Sequence, residues 1–356
     1  GGSSKGSYFV GADLPAERRE RDSLLRRIMG SPDPRQIDGI GGAHPLTSTV
    51  AVVSPADDTD ADADVDYLFL QVGVDDDLVS DRQNCGNLLA GVGPFAVERG
   101  LVQAPGDGEV SVRIRMINTA SVATARFPVR DGQPVYDGDV AISGVPGTAA
   151  PIHLEFGDIA GGTAGALLPT GNQVDTVEGT RCTLIDNGMP VVVMRADALG
   201  VNGDESCAQL EANTDLRSTL EAIRITAGEL MGLGDVRETT VPKLTLVSPP
   251  RDGGHLSTRT FIPHRCHDAI GVLGAVSVAT AALLERSPAN GCLDGHPGEG
   301  GIVRIEHPTG FVDAVVEVTM LPDGTVHVGR AGIVRTARKL MDGIVYPGPV
   351  RHADPR

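Results

Sequence analysis

Cys85 lies in the run Asn84-Cys85-Gly86-Asn87, directly ahead of an apolar stretch. A thiol at a helix start has its thiolate stabilised by the helix dipole and can then act as base or nucleophile. The opposing reading is a small buried hydrophobe. Two amides beside the thiol contribute nothing to apolar packing, which favours chemistry, and an Asn of this run is the expected N-cap. N–H groups of a first helical turn lack intrahelical acceptors and bind carboxylates. The opening Gly1-Gly2-Ser3-Ser4-Lys5-Gly6 joins flexible backbone, two hydroxyls and one ammonium, a combination that suits either an anion cradle or a simple turn. It is not a phosphate-binding Walker loop, because the spacing before Lys5 is too short and Gly6 replaces the required Ser or Thr. His264, Cys266 and His267 invite a zinc reading. Alternate residues of an extended segment face opposite sides, however, and no second CxxC or HxxxH group completes four ligands. His264 stands as a binding or acid–base candidate beside the ordinary structural reading. No G-x-S-x-G elbow and no G-x-G-x-x-G loop occurs, so neither a serine hydrolase nor a nucleotide site is expected, and the chemistry should need no bound cofactor.

The elements that would hold these residues can be read from periodicity. Leu88–Glu98 and Gly274–Glu285 are apolar nearly all round, the mark of helices buried inside a protein, and each is expected to be the axle of one domain. Asn84 to Asn87 precedes the first and His264-Arg265-Cys266-His267 lies upstream of the second, so the chain reads as two related halves. Short runs such as Val50–Val53, Tyr67–Val74, Val110–Ile117 and Pro190–Met194, punctuated by Gly and Pro, read as strands. Leu216–Met231, with Asp215 near its start, reads as a surface helix. The tight turns Gly165–Asn172 and Ile185–Pro190 suggest a domain crossover near residue 180. The acidic stretch Ala56–Asp66 reads as a solvated connection, since it lacks the glycine and terminal glutamate of a calcium loop, and His352–Arg356 reads as a disordered tail.

Composition sets the outer bounds. At 356 residues, two domains of about 150 residues are the natural expectation. Hydrophobic residues make up 40%, aromatics only 3% and Trp is absent, so the core must be built from Val, Leu, Ile and Ala. A formal charge of −17 without basic runs excludes nucleic acid as an expected partner. It does not exclude an anionic substrate, because donors in a cleft outweigh the net field locally. Cys85, Cys182, Cys207, Cys266 and Cys292 are scattered, odd in number and without a CxxC pair, as expected of reduced thiols in a cytoplasm. Neither a signal peptide nor a span of about 18 apolar residues is visible, so a soluble protein away from membranes is expected. The chain opens without Met on a glycine-rich motif of a kind that follows a strand, so a short preceding stretch is also expected.

In order along the chain stand GGSSKG (1–6), GSPDPRQIDGIGGAHPLTS (30–48), DVDYLF (64–69), NCGNLLAGVGPFA (84–96), GVPGTAAPI (144–152), LLPTGN (167–172), IDNGMP (185–190), IPHRCH (262–267) and GAVSVATA (274–281). Together they resemble the family of 2-methylaconitate isomerases and 4-oxalomesaconate tautomerases, which has the diaminopimelate epimerase fold. IPHRCH with RTARKLMDG (335–343) is more similar to the 4-oxalomesaconate branch. The resemblance implies an α+β fold of two pseudo-symmetric domains, each a sheet wrapped around a central buried helix, with the site in a cleft between them. The expected domains are 1–178, completed by 330–356, and 179–329. It further implies a keto–enol tautomerisation or 1,3-allylic double-bond shift on 4-oxalomesaconate, a tricarboxylic keto-acid of microbial aromatic-acid breakdown. The alternatives are 2-methylaconitate or aconitate as substrate, or an impaired variant that only binds tricarboxylates. A homodimer is also compatible with the resemblance. By matching position, Cys85 would be an acid/base residue. Asn84, Gly86 and Asn87 would hold a carboxylate, and Ser3, Ser4, Lys5, Thr170, Gly171, Asn172 and His264 would line the cleft. The family usually reads Thr-Ser-Lys where this chain has Thr47-Ser48-Thr49, and the resemblance implies that this lysine abstracts the proton. A hydroxyl is far too weak a base to replace it. The chain is therefore inactivated, or has moved its base, with Lys5 and Cys85 the nearest substitutes by motif, or has changed its activity.

Overall fold

The computed structural model describes residues 4–56, 62–81, 85–295, 297 and 301–349. The chain forms two compact units, residues 1–154 with 335–356 and residues 155–334. The first boundary thus falls at Leu154/Glu155 and not near 178. Segment 155–178 is committed to the second unit by its backbone. Thr163 and Ala164 N–H groups donate to the Asp186 carboxylate at 2.8 and 2.7 Å, Asp186 N donates to Leu167 O, and Thr183 Oγ1 donates to Gln173 O.

In the first unit, β1 (Gly6–Val10) is followed by α1 (Arg18–Met29), β2 (Thr49–Pro55), β3 (Val65–Val72) and the short β4 (Val79–Ser80). Then come α2 (Gly86–Glu98), β5 (Gly108–Met116), β6 (Ser121–Arg130), the short β7 (Gln133–Pro134) and β8 (Ile152–Phe156), within which the chain passes to the second unit. β1 pairs parallel with β2, β2 antiparallel with β3, β3 parallel with β5 and β5 antiparallel with β6.

The second unit contains β9 (Asp175–Val177), β10 (Thr180–Asp186), β11 (Pro190–Arg195), α3 (Cys207–Ala212), α4 (Thr214–Leu230), β12 (Lys243–Ser248) and β13 (Leu256–Phe261). It ends with α5 (Val272–Leu283), β14 (Ile302–His307), β15 (Gly310–Met320) and β16 (Val326–Arg335). β11 to β15 repeat the pairing sequence of β1 to β6: parallel, antiparallel, parallel, antiparallel. α2 and α5 occupy the same place in each repeat, between the third strand and the fourth, and α1 and α4 the place between the first and second.

Both axle helices are buried, as their composition requires. α2 buries Leu88, Leu89, Ala90 and Val92 to Val97, and α5 buries every residue from Gly274 to Ala282. The entrances to the two helices differ, however. Cys85 is itself the N-cap of α2, whereas α5 is capped by Gly271, four residues beyond the IPHRCH segment. Aspartates of the acidic stretch have structural partners: Asp64 pairs with Arg113 at 2.7 Å and Asp66 with Arg115 at 2.7 Å, tying β3 to β5. No cluster of His, Cys, Asp and Glu that could hold a metal occurs among the described residues. No described helix is long and apolar enough to cross a membrane.

Candidate active site

Within the first unit the chemistry-bearing residues gather where β1 begins and α2 starts. Gly6, the first residue of β1, lies opposite Thr49, the first of β2, in the parallel register. Gly6 is also pressed against α2: a Cβ there would lie 2.6 Å from Leu88 Cδ2 and 2.7 Å from Thr49 Oγ1. A side chain at this position would have to displace Leu88 and Thr49, so the glycine lets the strand pass close to the helix start. Asn87 Nδ2 donates to Ser4 Oγ at 3.1 Å, so the segment carrying Lys5 is stitched to the first turn of α2.

Cys85 has extended backbone at φ −124° and ψ 103°, and its side chain makes no capping hydrogen bond. The Asn expected as N-cap therefore does not cap: Asn87 is already inside the helix and spends its amide on Ser4. Cys85 is half-buried, and two tyrosines frame it. Tyr67 Oη donates to Cys85 O at 3.4 Å and Tyr8 Oη donates to Leu88 O at 2.6 Å. Burial first, and negative charge on Cys85 second, push both phenols far above their ordinary pKa. Both therefore stay neutral donors that fix the helix start. The N–H groups of Gly86 and Leu88 belong to the first turn, which has no intrahelical acceptors.

Thr49 is 2% exposed, and its hydroxyl donates to Lys5 O at 3.1 Å. It is spent on backbone and offers no base. Lys5 is exposed, with its N–H donating to Leu46 O at 3.0 Å. Its ammonium approaches Gly42, where a Cβ would lie 3.0 Å from Nζ. A cavity of about 850 Å³ opens at Ser4, Lys5, Gly6 and Thr47. It runs along Gly91, Phe95 and Glu98 of α2 to the segment Thr336–Val345, and neither Cys85 nor Thr49 lines it.

The other expected residues lie in the second unit and are engaged locally. Thr170 Oγ1 and Asn172 Nδ2 donate to the two oxygens of Asp175, at 2.7 and 2.9 Å, around Gly171 at φ 78°. His264 lies 3.6 Å from Glu221 of α4, in a shallow groove with Thr214, Arg217, Phe261 and Pro263. Ser3 and Asn84 fall outside the described residues. Tyr8 and Tyr67 were not anticipated from the sequence. Both sit in strand-like apolar runs where a tyrosine reads as core, and only pairing with the helix start reveals their second task.

The chain matches the PrpF protein family over residues 1–348. It is 58% identical to the (4E)-oxalomesaconate Delta-isomerase of Novosphingobium sp. over 346 residues, covering 97% of this chain and 95% of that protein. It is 55% identical to the 4-oxalomesaconate tautomerase of Pseudomonas putida over 348 residues, covering 98% and 94%. The crystal structure of methylitaconate-delta-isomerase superposes with a TM-score of 0.85 at 35% identity, covering 97% of this chain and 93% of that one. A family match along nearly the whole chain, with isomerases more than half identical over the same span, makes this protein a member of the PrpF family and an isomerase.

Proposed function

We propose that the chain isomerises 4-oxalomesaconate, by keto–enol tautomerisation or 1,3-allylic proton shift, in cytoplasmic aromatic-acid breakdown and with no cofactor beyond its own side chains. The observation that carries this reading is the Asn87–Ser4 hydrogen bond, which joins the Lys5 segment to the helix start capped by Cys85. A base, a cation and a set of N–H donors are thereby held at one end of α2. In the reaction, the Cys85 thiolate takes the proton from the carbon next to the ketone. The electron pair moves into an enolate or dienolate, and the thiol returns the proton to oxygen or to the far allylic carbon. The Lys5 ammonium, Ser4 and the N–H groups of Gly86 and Asn87 hold carboxylates and offset the charge that develops as the dienolate forms.

Thr49 favours one second reading, a protein that binds tricarboxylates without turning them over, because its hydroxyl is occupied by Lys5 O and is no base. Following the dienol absorbance of 4-oxalomesaconate separates the two. Conversion above buffer supports the isomerase. Thermal stabilisation by the tricarboxylate without conversion, unchanged in Thr49→Lys, supports the binder.

A further inference from the structure

The motif 30–48 takes no direct part in the proposed reaction, yet one of its residues is tied down more completely than packing requires. Gln36 is 2% exposed and has φ 44°, in the left-handed region that glycine favours. Its amide is used at both ends: Nε2 donates to Ser31 Oγ at 3.0 Å and to Ser48 Oγ at 2.7 Å, and Oε1 accepts from Ala43 N at 2.8 Å. Gly41 packs flat against it, since a Cβ there would lie 2.2 Å from Gln36 Cδ. On the other side, Gln71 Nε2 donates to Pro45 O and Ser48 O, both at 3.0 Å. Segment 43–48 is thus clamped between two glutamine amides. That segment carries Leu46 O, which receives the Lys5 N–H, and Gly42 just before it adjoins the Lys5 ammonium. A buried amide satisfied at both ends costs little and fixes direction, which an apolar side chain of similar size cannot do.

We propose that Gln36 is a positioning residue: it does not reach the reacting atoms, but through Ala43, Ser48 and Leu46 it sets where the Lys5 ammonium stands. The proposal rests on the reading of Lys5 as the group that offsets developing negative charge. Gln36→Leu then lowers kcat about tenfold or more with KM changed much less, because a small misplacement of a charge-stabilising group is felt mainly in the transition state. Gln36→Glu keeps an acceptor for Ala43 N, and the Ser48 hydroxyl can turn to donate to it while Ser31 Oγ stays a donor to Gly73 O, so it restores part of the rate. Ser31→Ala removes the bond on the far side of Gln36 together with the Ser31 Oγ bond to Gly73 O, and lowers Tm without lowering kcat. Ser48→Ala, which leaves the other two bonds, substitutes for Gln36→Leu if the latter does not fold. A wild-type kcat in a folded Gln36→Leu or Ser48→Ala protein, or an equal loss in Ser31→Ala, overturns the proposal. Acetylation of Lys5 by an amine-reactive ester, followed by peptide mass, gives a readout independent of turnover. If the wild type does not convert 4-oxalomesaconate, the functional reading fails. The positioning claim then stands on a several-fold change in Lys5 acetylation rate in Gln36→Leu that is absent in Ser31→Ala, and falls if the rates are equal.

Discussion

Cys85 combines three properties that a proton-transfer group needs: a helix N-terminus, partial exposure, and a side chain not committed to capping. Its removal is therefore expected to act on rate and not on folding. Cys85→Ala should lower turnover of 4-oxalomesaconate about a hundredfold or more while leaving Tm nearly unchanged. Circular dichroism melts beside initial rates check both halves. Thr49 is the complementary case. Its hydroxyl is buried against Lys5 O and faces Gly6 and Leu88, so a lysine there would extend past the glycine toward the helix start. Thr49→Lys should raise kcat about tenfold or more, because a second acid/base group then shares the proton transfer. An unchanged rate in a folded variant would mean that Cys85 serves both steps alone. Cys85 and Lys5 were visible in the sequence because their residue types and neighbours are unusual. The supporting tyrosines were not, because what distinguishes Tyr8 and Tyr67 is the carbonyl each one meets, at Leu88 and Cys85.

At the scale of elements, the site depends on α2 being pinned to β1. Gly91 of α2 leaves room for Tyr8: a Cβ there would lie 2.4 Å from the phenol oxygen that bonds Leu88 O. Gly91→Ala should force Tyr8 off the helix, costing about 2 kcal/mol of stability by overpacking and lowering activity with it; chemical denaturation measures the first. In the second unit, α4 carries a fully buried Arg224 whose guanidinium donates to Glu221 and to Val236 O. The Arg224 hydrogen bonds hold the Glu221 carboxyl below its ordinary pKa, against the opposing effect of burial. The stabilisation is complete above the ordinary glutamate pKa and is lost as pH falls through the lower folded value. Wild-type stability should therefore fall below about pH 4 more steeply than that of Glu221→Gln. The variant itself should be less stable at pH 7 by about 2 kcal/mol, measurable by urea melts. The axle helices α2 and α5 were legible because a helix apolar on all sides has only one place to go. α1 was not, since its run RRERDSLLRRIM is dominated by charge: only Leu25, Ile28 and Met29 are buried, and of these Leu25 and Met29 join the cluster with Val50, Val52, Leu70 and Val72.

For the whole molecule, two units with one repeated strand order explain why paired apolar helices appear in the sequence at all: each closes one repeat. The boundary was misplaced because no change of composition marks Leu154/Glu155. What commits 155–178 to the second unit is the set of hydrogen bonds in which Thr163 N and Ala164 N donate to the Asp186 carboxylate and Asp186 N donates to Leu167 O, and residue types do not record these. The return of the chain to the first unit from Arg335 onward brings Asp342 within 2.6 Å of Arg99, and Lys339 within 3.0 Å of Glu98, at the far end of α2. Both ends of the site helix are thus tied within one unit, with the proposed proton transfer at its N-terminal end. The most direct measurement is proton NMR of 4-oxalomesaconate in deuterated buffer with the wild-type chain and with Cys85→Ala. Deuterium is expected to enter the migrating position in step with isomerisation by the wild type, at a rate lower by about a hundredfold in the variant. Equal exchange by both proteins, or none above buffer with the wild type, would contradict the proposed proton transfer.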